Sequence, residues 1–214
     1  MRARRHPAKR PWVVLPVRGI AAGKRRLAET LDPVQRARLN THLLRHTLGV
    51  LERWLNGLER CICVSACGRT LAMAQRYGAR VLREPKPRPG LNRAIRHAML
   101  SAVRSGAERV LVLPTDLPCL SREALDALSS EAAETRLALA PDRAGTGTNA
   151  LLTRVPAASP LHFGTDSFRL HLQAARVRGW EVFVCRDARL LFDLDTPRDL
   201  AAWRNQRGRQ RAMV

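Results

Sequence analysis

The chain has 214 residues, 45% of them hydrophobic, enough for one domain with a full core. Charged residues interrupt every apolar run before it reaches membrane-spanning length, which excludes a helical membrane span. The formal charge of +20, from 38 Lys and Arg against 18 Asp and Glu, raises nucleic acid as a partner, but one Tyr and four Phe are few for stacking bases. Much of the excess also sits at the ends: Arg2, Arg4, Arg5, Lys9 and Arg10 lead the chain, and Arg204, Arg207, Arg209 and Arg211 trail it. The remaining basic residues read as solvated helix faces and as partners for small anionic substrates, and nucleic-acid binding is not expected.

Residues 1–11 read as a basic disordered tail that lacks the apolar core of a secretory signal, so a cytoplasmic location is expected. A strand is predicted over 12–17 and a helix over 33–55, with Leu43, Leu44, Thr47, Leu48, Leu51, Trp54 and Leu55 on one stripe. A strand at 61–65, a helix at 70–77 and a strand at 79–83 follow. The proline-rich stretch 84–90 suits neither helix nor strand and reads as a loop and candidate lid. A helix at 91–104 stops before Gly106, a strand occupies 110–114, and Ser121 caps a helix through 133. Strands at 137–140 and 150–155 flank a Gly-Thr loop. A helix at 166–177 stops near Gly179, a strand covers 181–185, and a last helix covers 196–205 with Pro197 in its first turn. Residues 206–214 read as a second basic tail. This alternation predicts a single α/β domain over 12–205, its sheet mainly parallel with helices on both faces.

Cys61 and Cys63 share one face of a strand, and Cys67, Cys119 and Cys185 are scattered. No pair has convincing zinc-ligand spacing, so buried reduced thiols are expected.

Three clusters carry the chemistry, each after an apolar run: 115–118 with Asp116, 142–149 with its Gly-Thr loop, and 193–197 with Asp193 and Asp195. In an open α/β sheet, ligands collect at the carboxyl ends of strands. Carboxylates there suit Mg²⁺, and Gly-Thr loops offer N–H and hydroxyl donors to phosphate. The loop after the first strand carries Gly19, Gly23, Lys24 and Arg26. It is not a Walker loop, because three residues separate the glycines and Arg25 follows Lys24. It can still cradle a triphosphate through backbone N–H groups and cations. Asp195 reads either as a metal ligand or as a cap of the following helix. Residues 142–149 exceed the needs of a simple hairpin and suggest a binding loop. Gly164 and Ser167 precede a helix whose N-terminus suits an anion, with a plain cap by Thr165 or Asp166 as the alternative.

These residues resemble a known family. Pro16-Val17, Gly23-Lys24-x-Arg26-Leu27-Ala28, Leu91-Asn92-x-Ala94, Leu113-Pro114-x-Asp116-Leu117-Pro118, Asp142-Arg143-x-Gly145-Thr146-Gly147-Thr148-Asn149, Phe163-Gly164-x-Asp166-Ser167-Phe168 and Asp193-Leu194-Asp195-Thr196-Pro197 look like the 2-phospho-L-lactate guanylyltransferase family. That family includes the phosphoenolpyruvate and 3-phospho-D-glycerate guanylyltransferases, and the likeness runs from about Trp12 to Trp203. It implies a nucleotidyltransferase of glycosyltransferase-A type, with GTP as donor, Mg²⁺ as cofactor and a phosphorylated three-carbon acid as acceptor. The product would be an unstable guanosine diphospho-linked acid, consumed by a downstream transferase in making the deazaflavin coenzyme F-420. By similarity, Asp116 and Asp195 would hold the metal. Gly23, Lys24, Arg26 and Asn92 would lie at the nucleotide, and Thr148, Asn149, Gly164 and Ser167 at the acid. Lys24, Arg26 and Asp116 would be catalytic. A homodimer is left open as the assembly.

A phosphate monoester has a second pKa of about 6, so the acceptor is already an ionised nucleophile at neutral pH and needs no general base. This matches a motif set without a histidine; His42 and His46 are expected on a helix surface, and His171, which could help bind the acid, is not counted among the site residues. The alternatives are a nucleotidyltransferase for another phosphorylated acceptor, a glycosyltransferase on the same scaffold, and a basic nucleic-acid-binding module.

Overall fold

The structure, a computed structural model, describes residues 10–20, 23–86, 89–131, 134–155 and 161–212. Seven strands form one sheet in the order β3-β2-β1-β4-β6-β5-β7. They are β1 (Trp12–Pro16), β2 (Cys61–Ser65), β3 (Arg80–Arg83), β4 (Arg109–Val112), β5 (Leu137–Pro141), β6 (Thr148–Arg154) and β7 (Val182–Val184). The helices are α1 (Pro33–Leu55), α2 (Gly68–Arg76), α3 (Leu91–Arg104), α4 (Arg122–Glu131), α5 (Ser167–Val177), α6 (Ala188–Leu191) and α7 (Pro197–Ala212). The expected mainly parallel α/β sheet is thus present. Only β6 runs against its neighbours β4 and β5.

The central strands are apolar through most of their length, as in Val13–Leu15, Cys61–Val64 and Val110–Val112, because helices cover both faces. Side chains of alternate strand residues go to opposite sides. On one side Val13, Leu15, Cys61, Cys63, Leu111 and Ala138 pack with Leu44, Leu48, Leu51 and Trp54 of α1 and with Leu125 and Leu128 of α4. On the other, Val14, Ile62, Val64, Val112 and Leu139 pack with Ile95, Ala98 and Met99 of α3 and Ala175 of α5. The α1 boundaries follow from local chemistry. Asp32 accepts from Gln35 N at 2.8 Å while Gln35 accepts from Asp32 N at 3.0 Å, a capping box with Pro33 at the first turn.

A third, smaller cluster joins Leu27, Leu31, Leu39 and Leu43 to Leu194 and Leu200, with Trp203 against it. It clamps the loop after β1 onto the segment that enters α7, and this brings distant parts of the chain to one site.

Several expectations need correction. The apolar run before Asp193, for which no element was expected, includes a single turn of helix, α6, capped by Asp187 accepting from Arg189 N. α7 does not stop at residue 205 but continues to Ala212, because Arg, Gln and Ala favour helix and a single Gly208 does not end it. Within the expected leading tail, residues 1–9 lie outside the described residues, but Arg10 is ordered against the domain. Its guanidinium sits 4.8 Å from the Trp54 ring centre and pairs with Asp126. In the candidate lid, residues 87–88 lie outside the described residues, and Glu84 Oε1 accepts from Gly90 N at 2.8 Å across the gap. All five cysteines are reduced, but only Cys61, Cys63 and Cys185 are buried as expected, because Cys67 and Cys119 lie in loops and are half-buried. Burial pushes the Cys61 and Cys63 thiols well above their ordinary range.

Candidate active site

The strand order turns around β1: the chain proceeds from β1 outward through β2 to β3, then returns to place β4 on the other side of β1. Such a switch leaves a crevice at the strands' carboxyl ends. Here it opens into a cavity of about 540 Å³, within the usual size of a ligand site. Because β6 is antiparallel, its first residues, Thr148 and Asn149, lie at this same edge, with Thr148 opposite Pro141 at the end of β5.

The loop after β1 contributes Arg18, Gly23, Lys24, Arg25 and Arg26 to the cavity wall. It ends in a 3₁₀ turn, Arg25–Leu27, which Lys24 enters in the left-handed conformation at φ 59° and ψ 42°. That conformation costs a non-glycine residue about 1 kcal/mol and persists where surroundings over-determine it. Two things do so. Leu27 is fully buried just beyond, and the Lys24 ammonium is held 2.9 Å from Asp116 Oδ2 and 2.6 Å from Asp195 Oδ1. Burial by itself would lower the Lys24 pKa; the two carboxylates outweigh it and hold the ammonium above its ordinary value. A Cβ at Gly23 would lie 2.9 Å from Asn40 Nδ2, so a larger residue there would displace that amide. That amide is itself committed to Ile20 O at 2.7 Å and orders the loop.

Asp116 follows β4, and its carbonyl accepts from Leu194 N at 3.0 Å, which ties it to the Asp193–Asp195 segment. The cap of α7 decides between the two readings of Asp195. Asp199 Oδ2 accepts from Thr196 N at 2.8 Å and from Asp195 N at 3.1 Å, and Thr196 Oγ1 accepts from Asp199 N at 3.3 Å. Thr196 and Asp199 cap the helix between them, so the Asp195 carboxylate faces Lys24 instead. Asp193 adds a third carboxyl to the cavity wall. Burial first, then the neighbouring Asp116 and Asp195, push its pKa up to about 6. Asn149 holds this segment: its Nδ2 donates to Leu190 O at 2.9 Å and Leu191 O at 3.2 Å.

Thr148, Gly164 and Ser167 also line the cavity. The 142–147 stretch turns out to satisfy its own polar groups. Asp142 Oδ1 accepts from Thr146 N at 2.9 Å, Asp142 N donates to Gly147 O at 3.0 Å, and a Cβ on Gly147 would come 2.7 Å from Asp142 Oδ2. It is a tight turn that delivers Thr148, and Arg143 points away to Asp199 and the Phe192 ring. At α5, Ser167 N donates to Gly164 O at 3.3 Å and Phe168 N to Thr146 O at 3.1 Å, so these two N–H groups brace the loop. Asn92 lies at the start of α3 and grips the backbone of Phe163. Its Oδ1 accepts from Phe163 N and its Nδ2 donates to Phe163 O, both at 2.9 Å. The side chain expected near the nucleotide therefore holds the 161–165 loop.

Nine of the expected residues, Gly23, Lys24, Arg26, Asp116, Thr148, Asn149, Gly164, Ser167 and Asp195, line one cavity. Sequence reasoning passed over Asn40, and it raised His171 for the acid without counting it among the site residues. His171 is fully buried behind Thr148, with Nδ1 at 3.0 Å from Thr148 Oγ1. Its signal in the sequence is the i, i+4 spacing from Ser167, which places both on one face of α5. His42 is exposed and His46 half-buried, with Nε2 3.1 Å from Leu120 O.

A cavity lined by clustered carboxylates, a basic loop and hydroxyl donors has the groups to hold two anionic ligands. The fold is that of an α/β nucleotidyltransferase: a Methanothermobacter nucleotidyl transferase structure superposes with a TM-score of 0.62 at 18% identity, over 92% of this chain and 97% of that one. The family model described as "Guanylyl transferase CofC like" matches residues 12–203, and the chain belongs to that family and is an enzyme of its kind. It is 42% identical to a phosphoenolpyruvate guanylyltransferase of Rubrobacter xylanophilus over 89% of this chain and 91% of that one. It is 33% identical to a 2-phospho-L-lactate guanylyltransferase of Methanothermobacter thermautotrophicus, over 87% and 81% of the two chains. With a 3-phospho-D-glycerate guanylyltransferase of Phenylobacterium zucineum it shares 34% identity, over 87% and 86%.

Proposed function

We propose that the protein transfers GMP from GTP to a phosphorylated three-carbon acid, with phosphoenolpyruvate, 2-phospho-L-lactate and 3-phospho-D-glycerate as the acceptors to test. Pyrophosphate leaves, and the product serves coenzyme F-420 synthesis through a downstream transferase. The observation that carries this reading is the convergence of Asp116 and Asp195 on the single cationic atom of Lys24, within one cavity with Thr148 and Ser167.

The residues present fit Mg²⁺. Two carboxylate oxygens already converge on one positive charge, and hard oxygen donors are what Mg²⁺ takes. Among the described residues no cluster of three or more His, Cys, Asp or Glu forms a ready-made metal cage. That suits an ion usually bound by one or two carboxylates together with substrate phosphates. When bound, the ion would neutralise charge developing on the phosphates.

The basic loop supplies the remaining positive charge. Lys24, Arg25 and Arg26 would bind the triphosphate, and Lys24 can leave the carboxylates once another cation replaces it there. Thr148, Gly164 and Ser167 would orient the acid so that its phosphate oxygen faces the GTP α-phosphorus in line with the departing pyrophosphate. The acceptor phosphate has a second pKa of about 6 and is ionised at neutral pH, so no side chain has to remove a proton. Catalysis is then orientation plus electrostatic stabilisation.

The test is incubation of the purified protein with GTP, Mg²⁺ and each acid separately, following pyrophosphate. Release with one acid identifies the acceptor. No release with any of the three, even with the downstream transferase present to trap the product, overturns the reading. A glycosyltransferase would release no pyrophosphate.

A further inference from the structure

We infer that His171 is a positioning residue for the acceptor: it donates its Nδ1 proton to the Thr148 oxygen, which turns the hydroxyl's own proton into the cavity as a donor to an anionic oxygen of the acid. The identity of that ligand rests on the function proposed above; the direction of the hydrogen bond does not.

His171 sits on α5 one turn after Ser167 and has no exposed surface. Its Nε2 lies 3.0 Å from the backbone nitrogen of His162. A backbone N–H can only donate, so Nε2 must be the bare nitrogen. A neutral imidazole carries one proton, and it is therefore on Nδ1, 3.0 Å from Thr148 Oγ1. A doubly protonated ring would set a second proton against the His162 N–H. Burial, and after it the nearby His162, lower the His171 pKa to about 4, so the neutral form holds at pH 7. The Phe163 ring packs edge-on against the imidazole with centres 5.0 Å apart and fixes its plane. Accepting from Nδ1, the Thr148 hydroxyl must send its own hydrogen elsewhere, and Thr148 lines the cavity. The opposite tautomer would draw that hydrogen inward and present only oxygen lone pairs to an anion. One buried ring thus links the 162–164 loop, the Ser167 helix and the Thr148 strand, all on the acid side of the cavity.

Two variants separate this role from simple bracing. His171→Asn places an amide donor near the Nδ1 position, and His171→Gln places an amide oxygen near the Nε2 position. With 15N-labelled histidine, the His171 signals, identified by their loss in His171→Gln, should show a protonated Nδ1 and a bare Nε2 at pH 7. The acid KM should rise about tenfold in His171→Gln and stay within about threefold of wild type in His171→Asn, the difference of one hydrogen bond to an oriented donor, with GTP KM unchanged. Combining His171→Gln with Thr148→Val should add little to the effect of Thr148→Val alone, because both act through one hydroxyl. A protonated Nε2, an unchanged acid KM in His171→Gln, or equal losses in the two variants would overturn the inference. If the wild-type protein turned over none of the three acids, the transferase reading would fall. The tautomer measured on the same sample would still decide the direction of the Thr148 hydroxyl: a protonated Nδ1 upholds it and a protonated Nε2 overturns it.

Discussion

The ammonium of Lys24 and the carboxylate of Asp195 meet at 2.6 Å although 171 residues separate them in the chain. The contact follows from the small apolar cluster beneath it, where Leu27 and Leu194 are both fully buried. Each apolar residue lies within three positions of its charged partner, so packing the leucines brings the charges together.

Removing one carboxylate of the pair should abolish turnover without unfolding the protein. Asp116→Asn and Asp195→Asn are each expected to lower kcat by about a hundredfold or more, the scale of losing one preorganised electrostatic contact. Circular dichroism should be unchanged. Wild-type turnover by either variant would remove that residue from the metal role.

Lys24 and a divalent cation compete for the same two oxygens. Lys24→Met should therefore bind Mg²⁺ more tightly while losing activity. Its melting temperature should rise more than that of wild type for the same Mg²⁺ addition, because a ligand that binds only the folded state stabilises it by mass action. An equal or smaller rise would place the ion away from Lys24.

Ser167→Ala should raise the KM for the acid about tenfold or more and leave that for GTP nearly unchanged, as expected from losing one hydrogen bond to a charged group. Steady-state kinetics with each substrate varied in turn would show it. A matching rise for GTP would move Ser167 to the nucleotide side.

Asn92→Leu removes both amide bonds to Phe163. The expected cost is about 2 kcal/mol, since each such bond contributes roughly 1 kcal/mol net. Denaturant titration measures it, and the acid KM should rise with it, because the loop it holds carries Gly164.

The neutral His171 makes stability fall in acid. Its folded pKa, about 4, lies below the ordinary histidine value of 6.5, so the unfolded chain binds more protons between them. The contribution is full above about pH 6.5 and is lost as pH falls toward about 4. Wild type should lose stability over this window more steeply than His171→Gln. Parallel curves would mean that another group dominates.

Local chemistry made some elements readable in advance. α1 lies between the Asp32–Gln35 capping box and Asn56 in the left-handed conformation, and both boundaries match the expected 33–55. α3 starts after Gly90 and ends before Gly106, again as expected. Boundaries set by a distant partner were not readable. β6 begins at Thr148 rather than Ala150 because it pairs with Pro141 of β5. The run before Asp193 has strand-like composition, but Asp187 caps it into the short helix α6.

The candidate site divides the same way. Residue type and order marked Lys24, Asp116, Thr148, Ser167 and Asp195, because carboxylates, a basic glycine loop and small hydroxyl residues are what phosphate and metal chemistry requires. They could not assign each polar atom. Whether Asp195 caps α7 or faces Lys24 depends on Thr196 and Asp199 taking the cap. Whether Asn92 meets a ligand or holds a loop depends on Phe163, 71 residues away. The sequence by itself determined the alternation of strand and helix and the chemical inventory of the site, since periodicity and residue type are local properties. Only the tertiary structure decided which groups share a hydrogen bond. Each oxygen and each N–H satisfies few partners, and which partner it takes depends on the antiparallel turn of β6 and the leucine cluster under Lys24.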